Sequence, residues 1–423
     1  MIKKRILLIN PPRYEVWPEN FDDMGIWIEN MTAFFPVALL RMASYFRDQG
    51  HDVSLINCAG DIKYDEAAER HQIGKRRVGN FKDKEIFSPL FHIGTPFEEI
   101  RQKLKQQEKP DEIYVTSFFT YQWESVHEVI KICRETFPSA KITMGGIYPT
   151  LCPDHAKTSG AELYIGELNA TNHSRLALDL LEPPPNYMIL KISRGCPSKC
   201  SYCAVHVLEG NAMRWRDPED AVDEIQENID KYQIKKVAMW ESSILVNPKE
   251  HFERFLNLII IRKIKINLSF PEGVNPNLLS EALLVKMKMA GVNRLSLSVE
   301  TNNRETAVKR FHSVHKLPAF QRIMKSIKKA GILANAFILA GMPNQNVKDV
   351  KDTVLDVLNA GCRPELMPFT PIPGTTEYMN CREDIAHKGL ENLHPWLWPC
   401  VNSYEDYAQL SDLHKKCKVL MNN

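Results

Sequence analysis

The 423-residue chain reads as an α/β protein: a doubly wound parallel sheet, then a partial (β/α)6 barrel, then a small helical tail. Three observations predict this. Short apolar runs alternate with stretches of helical spacing, the pattern of strand–helix–strand units and a parallel sheet. The alternation stops at LEPPPNY (181–187), where three consecutive prolines can neither continue a helix nor pair in a central strand. It then restarts with six further strand-like runs.

The elements follow in order. RILLIN (5–10) is a mostly apolar run ended by Pro11 and Pro12, and reads as a buried first strand. Residues 36–50 have helical spacing at Leu39, Leu40, Met42, Ala43 and Phe46, and stop at Gly50. Strands are predicted at 52–57, 112–119, 141–146 and 162–167, with a helix over SVHEVIKICRETF. Residues 61–109 interrupt the pattern and are rich in charge, and the basic run His71 to Arg77 is expected as a solvated loop. Beyond the prolines, strands are predicted at 187–195, 235–242, 266–273, 294–301, 333–341 and 364–374, with helices between them. Asp217 is placed to cap one of these helices and Pro218 to open it. The expected domains are 1–180, 187–375 and a helical appendage at 376–423, with 181–186 as linker. In parallel barrels, ligands meet the carboxyl ends of the strands.

Composition excludes several classes. The hydrophobic fraction of 44% and charged fraction of 25% are ordinary for a globular chain. A formal net charge of +2 gives no basic field for nucleic acid. The most apolar stretch, FLNLIIIRKIKINLSF, is broken by Arg262, Lys263 and Lys265, so no membrane span is expected. MIKKRILLINPP has too short an apolar core and no small-residue cleavage site for a signal peptide. The reading is a cytoplasmic protein with no nucleic-acid or membrane partner.

Ten cysteines are present, seven of them scattered and three packed into KISRGCPSKCSYCAVH as Cys196, Cys200 and Cys203. One tight cluster in a long chain points to metal binding rather than a disulfide framework. Three thiolates suit an Fe–S cluster or zinc. His206, three residues after Cys203, would complete a Cys3His zinc set. Structural zinc sites, however, usually draw ligands from two separated knuckles.

C-x3-C-x2-C with Tyr202 before the third Cys resembles the signature of radical S-adenosylmethionine (SAM) enzymes. The resemblance implies that the three cysteines ligate three irons of a 4Fe–4S cluster. SAM would fill the fourth iron, and an electron from the cluster would cleave it to methionine and a 5′-deoxyadenosyl radical. It also implies roles at the ends of later barrel strands. Glu241 in Trp240-Glu241-Ser242-Ser243 stands where the family binds the methionine amino group, and a carboxylate can accept from an ammonium. Glu300 in SLSVET stands where relatives place an acid against the ribose. The FPEG turn (270–273) resembles the family's third-strand end. Gly341 in FILAGMP would let adenine approach closely, and Pro373 lies in the sixth-strand end whose backbone contacts adenine.

The first half resembles the cobalamin-binding-type domain that precedes many radical SAM enzymes, so the fold implied is a Rossmann-like domain followed by a radical SAM barrel. The lining expected for cobalamin is the NPPRYEVW loop, Ser117 to Tyr121, Gly145 and Gly146 with Thr150, and Gly166 with Glu167. No D-x-H-x-x-G motif is present, so the resemblance implies cobalamin held without a protein His. The function implied is methyl transfer to an unactivated carbon or phosphinate of a small molecule, with a reducing electron donor such as flavodoxin or ferredoxin. The alternatives are a radical cyclase, oxidase or rearrangement enzyme, and, from another class, a zinc-containing or cobalamin-sensing binding protein.

Overall fold

The computed structural model describes residues 2–16, 26–27, 35–59, 62–65, 70–73, 75–83, 86–311, 317–385 and 388–422. The chain divides into two compact units, Met1–Pro184 with Ala386–Leu397, and Pro185–Ile385 with Trp398–Asn423. Residues 376–423 are therefore shared between the two units.

The first unit is built on five parallel strands: β1 (Arg5–Asn10), β2 (Asp52–Asn57), β3 (Glu112–Ser117), β4 (Lys141–Gly146) and β5 (Glu162–Leu163). Their order across the sheet is β5-β4-β3-β1-β2. Both faces of β1 are buried, which is why Ile6 to Ile9 read as a continuous apolar run rather than an alternation. Ile6 and Leu8 pack with Leu39 and Ala43 of helix α1 (Val37–Asp48). Leu7 and Ile9 pack on the other side with Val126, Val129 and Ile130 of helix α2 (Trp123–Thr136). Helices on both faces of a parallel sheet make it doubly wound.

The run His71 to Arg77 is not a loop. Arg70–Ile73 and Lys75–Asp83 are strands of two antiparallel sheets, and Gly74 lies outside the described residues. Lys75–Asp83 is an edge strand beside Ile86–Ile93, with Arg76 and Arg77 exposed. Charged side chains are what a solvated edge strand carries, so Arg76 and Arg77 mark an edge rather than a loop, while Arg70–Ile73 is the middle strand of its sheet. In the expected NPPRYEVW loop, Arg13–Val16 is likewise a strand, and Trp17 lies outside the described residues.

The second unit holds six parallel strands in chain order: β6 (Tyr187–Leu190), β7 (Lys236–Met239), β8 (Asn267–Ser269), β9 (Arg294–Glu300), β10 (Leu333–Ala340) and β11 (Arg363–Pro368). They form two three-stranded sheets joined by parallel bridges Leu268–Val292 and Val274–Leu297, giving the partial barrel. Helix α3 (Pro218–Tyr232) begins as its sequence requires, with the Asp217 side chain accepting from the Glu219 and Asp220 N–H groups. Among the described residues no helix is long and apolar enough to cross a membrane.

Between β6 and α3 the chain leaves as the cysteine loop and returns through Arg214–Trp215, which pairs antiparallel with Ser193–Arg194. Arg216 fixes the return. Its N–H donates to the Ile192 carbonyl at 2.9 Å, and its guanidinium pairs with Asp220 at 2.6 Å and with fully buried Glu224 on α3. Arg216→Ala removes the partner of a buried carboxylate. It should cost about 3–5 kcal/mol, read as a lower midpoint in denaturant unfolding; an unchanged midpoint would show that the pair does not hold the return strand.

Candidate active site

The loop leaves β6 with three half-buried thiols, Cys196, Cys200 and Cys203, none in a disulfide. It is held from outside itself. The Cys196 N–H donates to the Gly210 carbonyl at 3.2 Å. The Ser201 N–H donates to the Arg310 carbonyl at 2.8 Å, and the Glu377 N–H donates to the Ser201 carbonyl at 2.9 Å. Ser201 Oγ donates to Glu377 Oε1 at 2.8 Å. The Arg310 side chain reaches Glu377 Oε2 at 3.5 Å and the Pro343 carbonyl at 2.7 Å, so the anchor ties the loop to the end of β10. Tyr202 packs edge-on against Phe311 at 5.3 Å, and Cys200 Sγ donates to the Phe311 carbonyl at 3.1 Å.

Burial, then the sulfurs of Cys203 and Cys196, push the Cys200 thiol up to about 12, and burial pushes Cys203 up to about 11. Such thiols become thiolates when a cation compensates their charge. Among the described residues no group of three or more His, Cys, Asp or Glu closes on a single metal ion. A cubane asks something different of its ligands, because each thiolate takes a separate iron. Three sulfurs spread along one sheltered loop fit that requirement.

Glu241 stands at the end of β7, 3% exposed, with both carboxylate oxygens turned to β6. Oε1 accepts from the Ile192 N–H at 2.5 Å; Oε2 accepts from the Ser193 N–H at 3.0 Å and from Ser193 Oγ. Burial pushes its carboxyl up to about 7 in spite of these bonds. Within the chain these bonds clamp the segment that launches the cysteine loop. Glu300 sits at a register irregularity of β9 with φ +62°, which aims its half-buried side chain at the cysteine loop, where Tyr202 Oη donates to it at 3.4 Å. Burial pushes this carboxyl up to about 7 as well.

Gly341 packs against the chain itself. It has φ +81° and is buried, and a Cβ there would lie 2.7 Å from Trp398 and 3.1 Å from Val401. The chain's own indole makes a close approach there that requires glycine. Pro373 is buried in a turn closed by the Thr375 N–H on the Ile372 carbonyl at 3.1 Å.

In the first unit, Gly146 has φ +111°, and a Cβ there would collide with the Ser117 carbonyl, so it too serves the fold. Gly145 is different: a Cβ would meet only Tyr164 Cβ, at 3.8 Å. Thr150 Oγ1 donates to the Gly146 carbonyl at 2.7 Å and accepts from the Gly166 N–H at 3.0 Å, tying the ends of β4 and β5. Nothing lies within 4 Å of a Cβ at Gly166, and Tyr164 and Ile165 beside it are 40% and 50% exposed. Gly145, Thr150 and Gly166 therefore frame an open shelf with apolar neighbours.

Several residues escaped the sequence reading. Lys191 pairs with Glu209, whose Oε2 accepts from the Gly195 N–H at 3.0 Å and from Ser242 Oγ at 3.2 Å. Arg310, Glu377 and Trp398 are far from the loop in sequence, and no local motif marks them. Glu272 lay within the recognised FPEG turn and was given no role.

Residues 190–357 match the family model of the Radical SAM superfamily, whose members use SAM and a 4Fe–4S cluster. This stretch is a radical SAM domain, and the chain that carries it is an enzyme. Its fold is that of the cobalamin-dependent members, as two solved structures show. TsrM from Kitasatospora setae, solved with cobalamin and a [4Fe–4S] cluster, aligns with TM-score 0.64 and 14% identity over 92% of this chain and 79% of that one. OxsB with aqua-cobalamin aligns with TM-score 0.60 and 14% identity over 98% of this chain and 61% of that one. Among curated proteins, bacteriochlorophyllide d C-12(1)-methyltransferase of Chlorobaculum tepidum is 19% identical over 283 residues, which are 58% of this chain and 61% of the relative.

The clamp generates a prediction. Glu241→Gln turns an amide N–H₂ toward donors on β6 and should cost about 1–3 kcal/mol of stability. It should also lower the iron retained per chain after anaerobic reconstitution. Full stability and iron content together with weakened SAM binding would return Glu241 to the ammonium role.

Proposed function

We propose that this chain is a cobalamin-dependent radical methyltransferase acting on an unactivated carbon or a phosphinate of a small molecule. Cys196, Cys200 and Cys203 would each take one iron of the cluster, and SAM would bind at the iron left open. The observation that carries the reading is the sheltered cysteine loop at the carboxyl end of the first strand of a six-stranded parallel barrel.

Cobalamin is supported by the sheet preceding the barrel. In open parallel sheets a ligand lies beyond the carboxyl ends of the strands, and there Gly145, Thr150 and Gly166 leave room. The D-x-H-x-x-G motif is absent from the sequence, so the cobalt would be held without a protein His. The relatives support the same chemistry: TsrM, a methyltransferase by name, has also been solved with tryptophan as substrate and a SAM analogue.

When bound, the cluster supplies the electron that cleaves SAM, and cobalamin supplies a carrier for the methyl group. The chain's own residues shelter and orient. Glu241 and Arg216 fix the two ends of the loop, and Arg310 and Glu377 fix its middle. A small, strongly reducing donor such as flavodoxin or ferredoxin would provide the electron.

Anaerobically reconstituted protein should carry one 4Fe–4S cluster, lost in the triple Ala variant of Cys196, Cys200 and Cys203 and retained in Cys362→Ala and Cys417→Ala. With reductant it should convert SAM to 5′-deoxyadenosine, detected by mass spectrometry. Wild-type protein should bind hydroxocobalamin at equilibrium, and Gly145→Phe should abolish that binding without loss of iron. Stoichiometric zinc without iron would defeat the cluster assignment. Production of 5′-deoxyadenosine by protein that binds no cobalamin would replace methyl transfer with a cobalamin-independent radical reaction.

A further inference from the structure

The amino ends of the last three barrel strands carry cations that the site at the carboxyl ends does not use. Arg294 opens β9 and Arg363 opens β11, with β10 between them. Across the strands Arg294 stands beside Leu333, and Arg363 beside Asn335. β9 runs from Arg294 to Glu300, whose side chain meets the cysteine loop. At about 3.3 Å per residue, the two ends of β9 are roughly 20 Å apart.

A cavity of about 110 Å³ opens at these amino ends. One water needs only about 10–15 Å³, so the space takes a larger group. Its polar walls are Arg294, Lys328, Arg363 and Asn335, and the rest is apolar or glycine. Among the described residues no acid lines it. Arg294 and Arg363 are half-buried, and Asn335 is 4% exposed.

The fold sets these groups in place. Lys328 lies in the last turn of the helix Leu317–Lys329. Gly361 leaves room for its ammonium: a Cβ there would lie 2.2 Å from Lys328 Nζ. Cations at a helix end commonly serve the helix's own carbonyls. Lys288 does so here, donating to the Gly331 carbonyl and to Asn293 Oδ1, both at 2.8 Å. Lys328 reaches instead toward Gly361 and the cavity. Asn335 accepts from Ser296 Oγ at 3.2 Å and donates to Glu365 at 2.7 Å, which spends one of the two N–H groups of its amide. Glu365, the acid behind it, is paired with Lys418 at 3.7 Å.

We propose that this cavity binds a phosphate group, at the end of the barrel opposite the cysteine loop. Three positive charges with no acid among them favour an anion of more than one charge. Guanidinium forks pair with phosphate oxygens in bidentate fashion, and a lysine adds a point charge. A carboxylate would leave most of that charge unmatched. The bound group would join β9, β11 and the helix Leu317–Lys329, and so stabilise the folded barrel by mass action.

The test is equilibrium binding to the full chain by calorimetry, together with the midpoint of thermal unfolding, all at one ionic strength. The probes are inorganic phosphate, glycerol 3-phosphate and acetate. Both phosphates should bind and raise the midpoint, and acetate should do neither. The tighter of the two phosphates separates a free anion from an ester as the natural ligand. Arg294→Gln, Lys328→Ala and Arg363→Gln should each weaken phosphate binding by about tenfold or more. Lys329→Ala should leave it unchanged, because Lys329 is paired with Glu281 at 2.5 Å and lies outside the cavity wall. Equal losses at Lys328 and Lys329 would mean diffuse attraction of anions and overturn the site. Wild-type protein that binds phosphate no more tightly than acetate overturns it as well, a result that requires no variant to fold.

Discussion

The carboxylate of Glu241 holds the end of β6 by three donors, and the cysteine loop starts three residues later. A loop that must leave three sulfurs uncommitted has few contacts of its own to define its shape. The shape is imposed from neighbouring segments: Glu241 from the second barrel strand, Arg216 from the return strand, Arg310 and Glu377 from beyond the fourth and sixth strands. Each is a charged or hydrogen-bonded group acting on backbone or on a buried partner, where geometry is most restrictive. The sulfurs are thus positioned by contacts far apart in sequence, and the barrel has to close to that extent before the loop acquires its form.

The same economy governs the acids of the mouth. Glu241, Glu272 and Glu300 are all pushed up to about 7 by burial, and their bonds come from backbone N–H groups, an indole and hydroxyls rather than from cations. Lys191 is drawn to Glu209. An acid whose folded value is raised adds to stability while both folded and unfolded chains keep it protonated. That contribution is lost as pH rises from the ordinary carboxylate range through about 7. Near neutral pH the mouth therefore carries acid that the chain compensates only in part. A cosubstrate with a sulfonium and an ammonium complements such a mouth, and its binding would return part of the stability spent.

What the sequence revealed follows the range of the interactions. Arg5–Asn10 and Tyr187–Leu190 were legible because burial on both faces writes continuous apolar runs, and the other strands because short apolar or alternating runs recur between helical stretches. The Asp217 cap and the cysteine triplet were legible because their partners lie within a few residues. The part of the basic run at 75–77 was misread because charge reports exposure, and an edge strand is as exposed as a loop. Arg310, Glu377 and Trp398 were invisible because their partners lie between 33 and 176 residues away. Glu272 was hidden differently: its turn was recognised, but the bond from the Trp240 indole is a property of the folded barrel.

The glycines show the limit most sharply. Gly145, Gly146 and Gly341 carried the same inference from sequence, that a missing Cβ makes room for a ligand, and Gly166 was placed in the same lining. In the structure Gly146 makes room for the Ser117 carbonyl and Gly341 for the Trp398 indole, both with positive φ. A substitution at either would disturb the chain before it disturbed any cofactor. Gly145 and Gly166 are the pair that leave space beyond the chain itself, and Thr150 fixes that space by bridging the ends of β4 and β5. The distinction matters because loss of binding in a glycine variant has two causes that activity alone cannot separate. At Gly145 the backbone is ordinary and the Cβ direction is open, so a bulky side chain there fills the shelf without straining the sheet. That makes Gly145 the position at which room for a cofactor and integrity of the fold are independent.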